Sequence, residues 1–116
     1  MALIPESEVR EVLEITTKEK QRIMDFLQGA VYCWCKNRHD DWFSMRDLTG
    51  SDNYFWDGSP LQVLFIKYER RGKIRGESID DVSKDSGWIL KKVINDDKRL
   101  FETKKEELIR KYRWIK

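Results

Sequence analysis

Residues 99–115 read RLFETKKEELIRKYRWI, and how this stretch folds decides the class of the whole chain. Leu100 and Phe101 open it in a run compatible with a short strand, 104–107 is a polar turn, and 108–115 mixes apolar or aromatic with basic side chains. Tyr112, Trp114 and Ile115 lose side-chain freedom against a helical turn and pack well on a pleated surface. A β-hairpin is therefore expected over a terminal helix, although Glu106, Glu107 and Leu108 are good helix formers.

Moving towards the N-terminus, Ser78 and Asp81 have the spacing of a capping box. Val82, Ser86, Ile89, Leu90 and Val93 then share one helical face, which predicts a helix over 79–95 with Gly87 as its weak point. The basic, glycine-bounded stretch 72–76 reads as a loop. Before it, Ser59 as N-cap and Pro60 at the first helical position open a helix carried by Leu61, Leu64, Phe65 and Tyr68 and stopped at Gly72.

Residues 50–58 form a loop bearing Tyr54, Phe55 and Trp56, whose rings either fold back on the core or meet a partner. Ser44 and Asp47 repeat the capping spacing ahead of Leu48, and Gly50 ends a helix of one or two turns. The longest helix is expected over 17–37. Thr16 and Glu19 cap it, and Ile23, Phe26, Leu27, Ala30, Val31 and Trp34 form one continuous stripe. Residues 1–15 are left as an N-terminal arm or short docking helix, and 16–116 as a single domain.

Composition narrows the function classes. Large rings (5 Trp, 4 Tyr, 5 Phe) offset a charged fraction of 38% and make the chain globular. No apolar run approaches the roughly 20 residues a membrane span needs, so no membrane partner and a cytoplasmic location are expected. Cys33 and Cys35 stand two apart on the long helix, point in divergent directions and are expected as free thiols, one in the core and one near the surface.

Cys33, Cys35 and His39, with Asp40 or Asp41, could be drawn as a metal site. Zinc sites place paired cysteines at wider loop spacing, however, and no metal is expected. His39 is the chain's single histidine, without a nucleophile-elbow Ser or Cys nearby, and Gly72, Gly76 and Gly87 fit no nucleotide-binding fingerprint. A non-enzyme with no catalytic residues and no cofactor is the reading.

Charge is unevenly divided. Residues 1–58 carry 7 basic and 11 acidic side chains, a net −4; residues 59–83 carry +1; residues 84–116 carry 11 basic and 6 acidic, a net +5. Such asymmetry marks a face for an anionic partner.

The order of a helix over 78–95 followed by a basic hairpin resembles the winged helix-turn-helix fold. The resemblance is carried by Gly87, Trp88, Ile89, Leu90, Lys91 and Lys92, then by Arg99, Leu100 and Phe101, and by Arg110, Lys111, Tyr112, Arg113 and Trp114. It implies an α+β, mainly helical bundle with a C-terminal hairpin, and duplex DNA as the ligand. On the helix it implies Lys84, Lys91 and Lys92 as nucleic-acid contacts. On or near the wing it implies Lys98, Arg99, Lys104, Lys105, Arg110, Lys111 and Arg113. The insertion between Trp42 and Ser59 is longer than the plain fold requires. The alternative is a protein-interaction or homodimerisation module that docks through Tyr54, Phe55 and Trp56 and through the N-terminal arm, Val9 to Ile15.

Overall fold

The first helix, α1 (Thr17–Asn37), begins where its cap lies. The Glu19 amide donates to the Thr16 hydroxyl at 3.0 Å and the Glu19 carboxylate accepts the Thr16 amide at 2.9 Å. Two amides that have no partner within the helix are thereby satisfied. Its buried line is Ile23, Leu27, Val31 and Cys35, an i, i+4 row narrower than the sequence stripe, since Phe26 is exposed. Cys33 is exposed and Cys35 buried, both as free thiols.

The computed structural model describes residues 3–5, 7–38, 41–50 and 53–115. Within them the chain is α+β, with four helices and a three-stranded sheet. Helix α2 (Met45–Thr49) is capped by Asp47, whose carboxylate accepts both the amide and the hydroxyl of Ser44. Gly50, at φ 101°, closes it in the left-handed conformation that glycine adopts without steric cost.

Helix α3 (Gln62–Glu69) starts later than expected from Ser59 and Pro60. The Ser59 hydroxyl donates to the Trp56 carbonyl and accepts the Leu61 amide, so these residues build a turn that leads into the helix. Gly72, at φ 84°, follows its C-terminus.

Helix α4 (Arg75–Asp96) starts a turn earlier than the Ser78 and Asp81 spacing predicts. Glu77 accepts the Ile74 amide at 3.1 Å, while the Ser78 hydroxyl donates to the Arg75 carbonyl inside the helix, so Ser78 is no cap. The α3 and α4 helices are pinned together by Asp85, which accepts from Lys67 Nζ at 2.7 Å and from the Tyr68 hydroxyl at 2.8 Å.

The hairpin is present, with a shorter turn than the polar stretch 104–107. Strands β2 (Leu100–Glu106) and β3 (Ile109–Ile115) pair antiparallel from Leu100 opposite Ile115 to Glu106 opposite Ile109. Only Glu107 and Leu108 lie between them, both at positive φ (50° and 67°), the signature of a tight type I′ connection.

Residues 3–4 of the N-terminal arm form β1 (Leu3–Ile4), parallel to β2 with Leu3 opposite Phe101. The described part of 7–15 is irregular, burying Val12. On the other side of the hairpin Phe43 forms a single antiparallel bridge with Tyr112 of β3. Phe101 and Tyr112 of the sheet share one buried apolar core with side chains of α1, α3 and α4.

Candidate nucleic-acid interface

The hairpin sorts its charges by the two-residue period of a strand. Glu102 opposite Arg113 and Lys104 opposite Lys111 share the outer face, while Thr103 opposite Tyr112 and Lys105 opposite Arg110 share the face turned to the helices. Beyond the buried Thr103 and Tyr112, that inner face leaves the core at the hairpin tip. Lys105 and Arg110 are thus delivered to a cleft bounded by α2, α4 and the tip.

This cleft holds a cavity of about 320 Å³. Arg46 from α2, Lys84 and Lys91 from α4, and Lys105 and Arg110 from the hairpin all line it, and among the described residues no carboxylate lines its wall. Lys91 is only 6% exposed, with its Nζ 5.0 Å from the centre of the Trp88 ring. Burial pushes its ammonium below the ordinary lysine range, and Arg110 adds to the effect. The remaining wall is partly hydroxylic: the Ser83 and Tyr54 hydroxyls share a 2.8 Å hydrogen bond.

The other expected contacts lie elsewhere. On the outer face Lys104 and Lys111 both pair with Glu106, at 3.3 and 3.0 Å, and Arg113 pairs with Glu102 at 2.8 Å. Lys111 and then Lys104 hold the Glu106 carboxyl below its usual range. Lys104 and Arg113 also cover the Trp42 ring, at 4.2 and 4.8 Å from its centre.

Lys92 pairs with Asp96 at 2.9 Å. Arg99 is forked onto Asp97 through Nε and a terminal nitrogen at 3.0 and 2.8 Å. Burial would raise the Asp97 carboxyl, but the bonds from Arg99 and from Gln28 outweigh it and hold the group below 3.8. Lys98 stands exposed beside that pair, lining a shallow depression with Tyr32 and Trp114.

Of the ten basic residues expected to bind, the cleft therefore brings together Lys84, Lys91, Lys105 and Arg110. Lys92, Arg99, Lys104, Lys111 and Arg113 pair with neighbouring acids, Lys104 and Lys111 sharing Glu106, and Lys98 lies outside the cleft. Lys91, expected as a surface contact, is a buried one. Arg46 was not readable as a contact, because it comes from the acidic N-terminal half and reaches the site only through tertiary packing.

The aromatic loop is divided as well. Trp56 is buried against Phe65 and Tyr54, with ring centres at 5.6 and 5.3 Å, whereas Phe55 is 72% exposed. No cluster of three or more His, Cys, Asp or Glu that could hold a metal occurs among the described residues. The expected metal-site candidates His39 and Asp40 lie outside them. No described helix is long and apolar enough to cross a membrane. No protein family, curated protein or solved structure matches the chain.

Proposed function

We propose that the chain is a non-catalytic nucleic-acid-binding module that engages the phosphate backbone, of duplex DNA in the first instance, through the cleft between α2, α4 and the hairpin tip. The observation that carries this reading is the convergence of Arg46, Lys84, Lys91, Lys105 and Arg110 from three elements on one cavity. Cations gathered this way attract a polyanion by counterion release. The winged-helix resemblance is supported by the direct succession of α4 and a two-stranded hairpin whose tip borders that cleft.

The reading is tested by Lys105→Glu combined with Arg110→Glu, with retention on duplex DNA followed as salt is raised. Loss of retention at low salt is expected, with an unchanged far-ultraviolet circular dichroism spectrum. Lys111→Glu, on the opposite face and already paired with Glu106, is expected to weaken binding little. Equal retention of the double variant and the parent overturns the reading.

A protein-interaction role has one observation in its favour, the exposure of Phe55. It predicts concentration-dependent dimerisation, or capture of a protein partner, that Phe55→Ala removes while DNA retention is absent.

A further inference from the structure

The most unusual group in the cleft is Lys91. The Lys91 side chain as a whole is enclosed and lines the cavity, and a lysine so placed normally has a counter-ion beside its ammonium. Among the described residues, the contact found for Lys91 Nζ is with the Trp88 ring, 5.0 Å from its centre. Among the described residues the nearby charges are mostly of its own sign: Arg110 and Lys105 from the hairpin and Arg10 from the N-terminal arm act against it, and Glu8 acts with it. Asp47, which follows the wall residue Arg46, is engaged by the Ser44 amide and hydroxyl. Among the described residues, positive charge therefore outweighs negative charge around Lys91.

From this the geometry points to a specific occupant: the cavity is a subsite for a phosphomonoester, the terminal phosphate of a nucleic-acid strand, with Lys91 as its buried reader. This deepens the nucleic-acid reading above and rests on it.

Three features select that chemistry. A phosphomonoester brings close to two negative charges and three acceptor oxygens, matching several cationic donors where a mid-strand diester brings one charge. The cavity, about 320 Å³, is at the low end for small-ligand pockets (roughly 300–1,000 Å³) and so takes one nucleotide better than a strand passing through. The Ser83 and Tyr54 pair has two hydroxyl protons and uses one between its members, leaving the other for a phosphate oxygen. Gly87 contributes to the space: a Cβ built there would meet nothing within 4 Å.

The experiment compares one short duplex in three forms: hydroxyl-ended, 5′-phosphorylated and 3′-phosphorylated. Binding is read by Trp fluorescence, since Trp88 lies against Lys91, and by calorimetry. Nucleoside monophosphate and inorganic phosphate serve as competitors. One phosphorylated form is expected to bind at least about tenfold tighter than the hydroxyl-ended form. Lys91→Met is expected to erase that difference, and to weaken the hydroxyl-ended duplex as well by the loss of one cation. Gly87→Leu, which fills the cavity without removing charge, is expected to erase the difference only.

Equal binding of all three duplexes, with no competition by nucleoside monophosphate, overturns the subsite and leaves the nucleic-acid reading standing. Binding of nucleoside monophosphate alone supports the site and overturns the nucleic-acid reading, making the ligand a free phosphorylated compound. Binding of none of the probes overturns both.

Discussion

Phe43 and Tyr112 donate a backbone hydrogen bond to each other's carbonyl at 2.8 Å, and their rings lie 5.8 Å apart. The pair fastens the segment between α1 and α2 to the third strand. Phe43 also meets Trp34 of α1 at 5.7 Å and Phe101 of β2 at 6.3 Å, edge-on to the latter. One fully buried ring is therefore shared by the long helix, both hairpin strands and the approach to α2, and it holds Arg46 over the cleft.

Phe43→Ala removes that ring and leaves a cavity that the backbone bridge prevents from collapsing. A loss of about 3–5 kcal/mol is expected, a large fraction of the roughly 5–15 kcal/mol a domain possesses. Urea denaturation checks it, through a lowered midpoint at unchanged slope. A loss below about 1 kcal/mol would mean that the ring is not a shared keystone.

The hairpin turn carries strain that its sequence does not relieve. Glu107 and Leu108 both hold positive φ, a conformation that costs roughly 1–2 kcal/mol for an L residue with a Cβ. Asn-Gly is the pair that suits such a turn. Glu107→Asn with Leu108→Gly is expected to raise stability by about 1–2 kcal/mol. Leu108 is 88% exposed, so little burial is lost in return. A thermal midpoint that stays level or falls would contradict the two-residue turn.

Lys91 should lower stability for the sake of its site. Its folded-state pKa lies below 10.5, its unfolded reference, chiefly through burial and then through Arg110. The groups facing it are Arg110 and Lys105 from the hairpin, Arg10 and Glu8 from the arm, Lys84 on its own helix and Arg46 on α2. The unfolded chain binds this proton more tightly than the fold does. The penalty is thus complete below the folded pKa and fades as pH rises through it towards 10.5. Lys91→Met is expected to stabilise the protein near neutrality by about 1 kcal/mol. The advantage over the parent should shrink as pH approaches the ordinary lysine value. Urea midpoints of both proteins across that range check it, and an advantage that grows with pH would invert the assignment.

What the sequence alone determined are the features built from neighbours within a turn or a strand pair. The Thr16 and Glu19 cap and the 3.6-residue period of α1 are complete within the helix itself, so its bounds are legible. The bulky residues of 109–115 likewise announce a strand, and the divergent cysteines announce free thiols. Where two local signals compete, the sequence misleads. Ser78 resembles a cap, but Glu77 reaches the Ile74 amide first and the helix begins a turn earlier.

Only tertiary structure decided which charges act together. A one-residue shift of the turn transfers every hairpin side chain to the opposite face. With the turn at Glu107 and Leu108, Lys105 and Arg110 join Lys91 while Lys104, Lys111 and Arg113 meet Glu102 and Glu106 on the far side. A net charge counted along the chain is a one-dimensional sum. A binding field depends on distances, and those are set by register, by the packing of α4 against the sheet and by the Phe43 bridge that brings Arg46 in from an acidic segment.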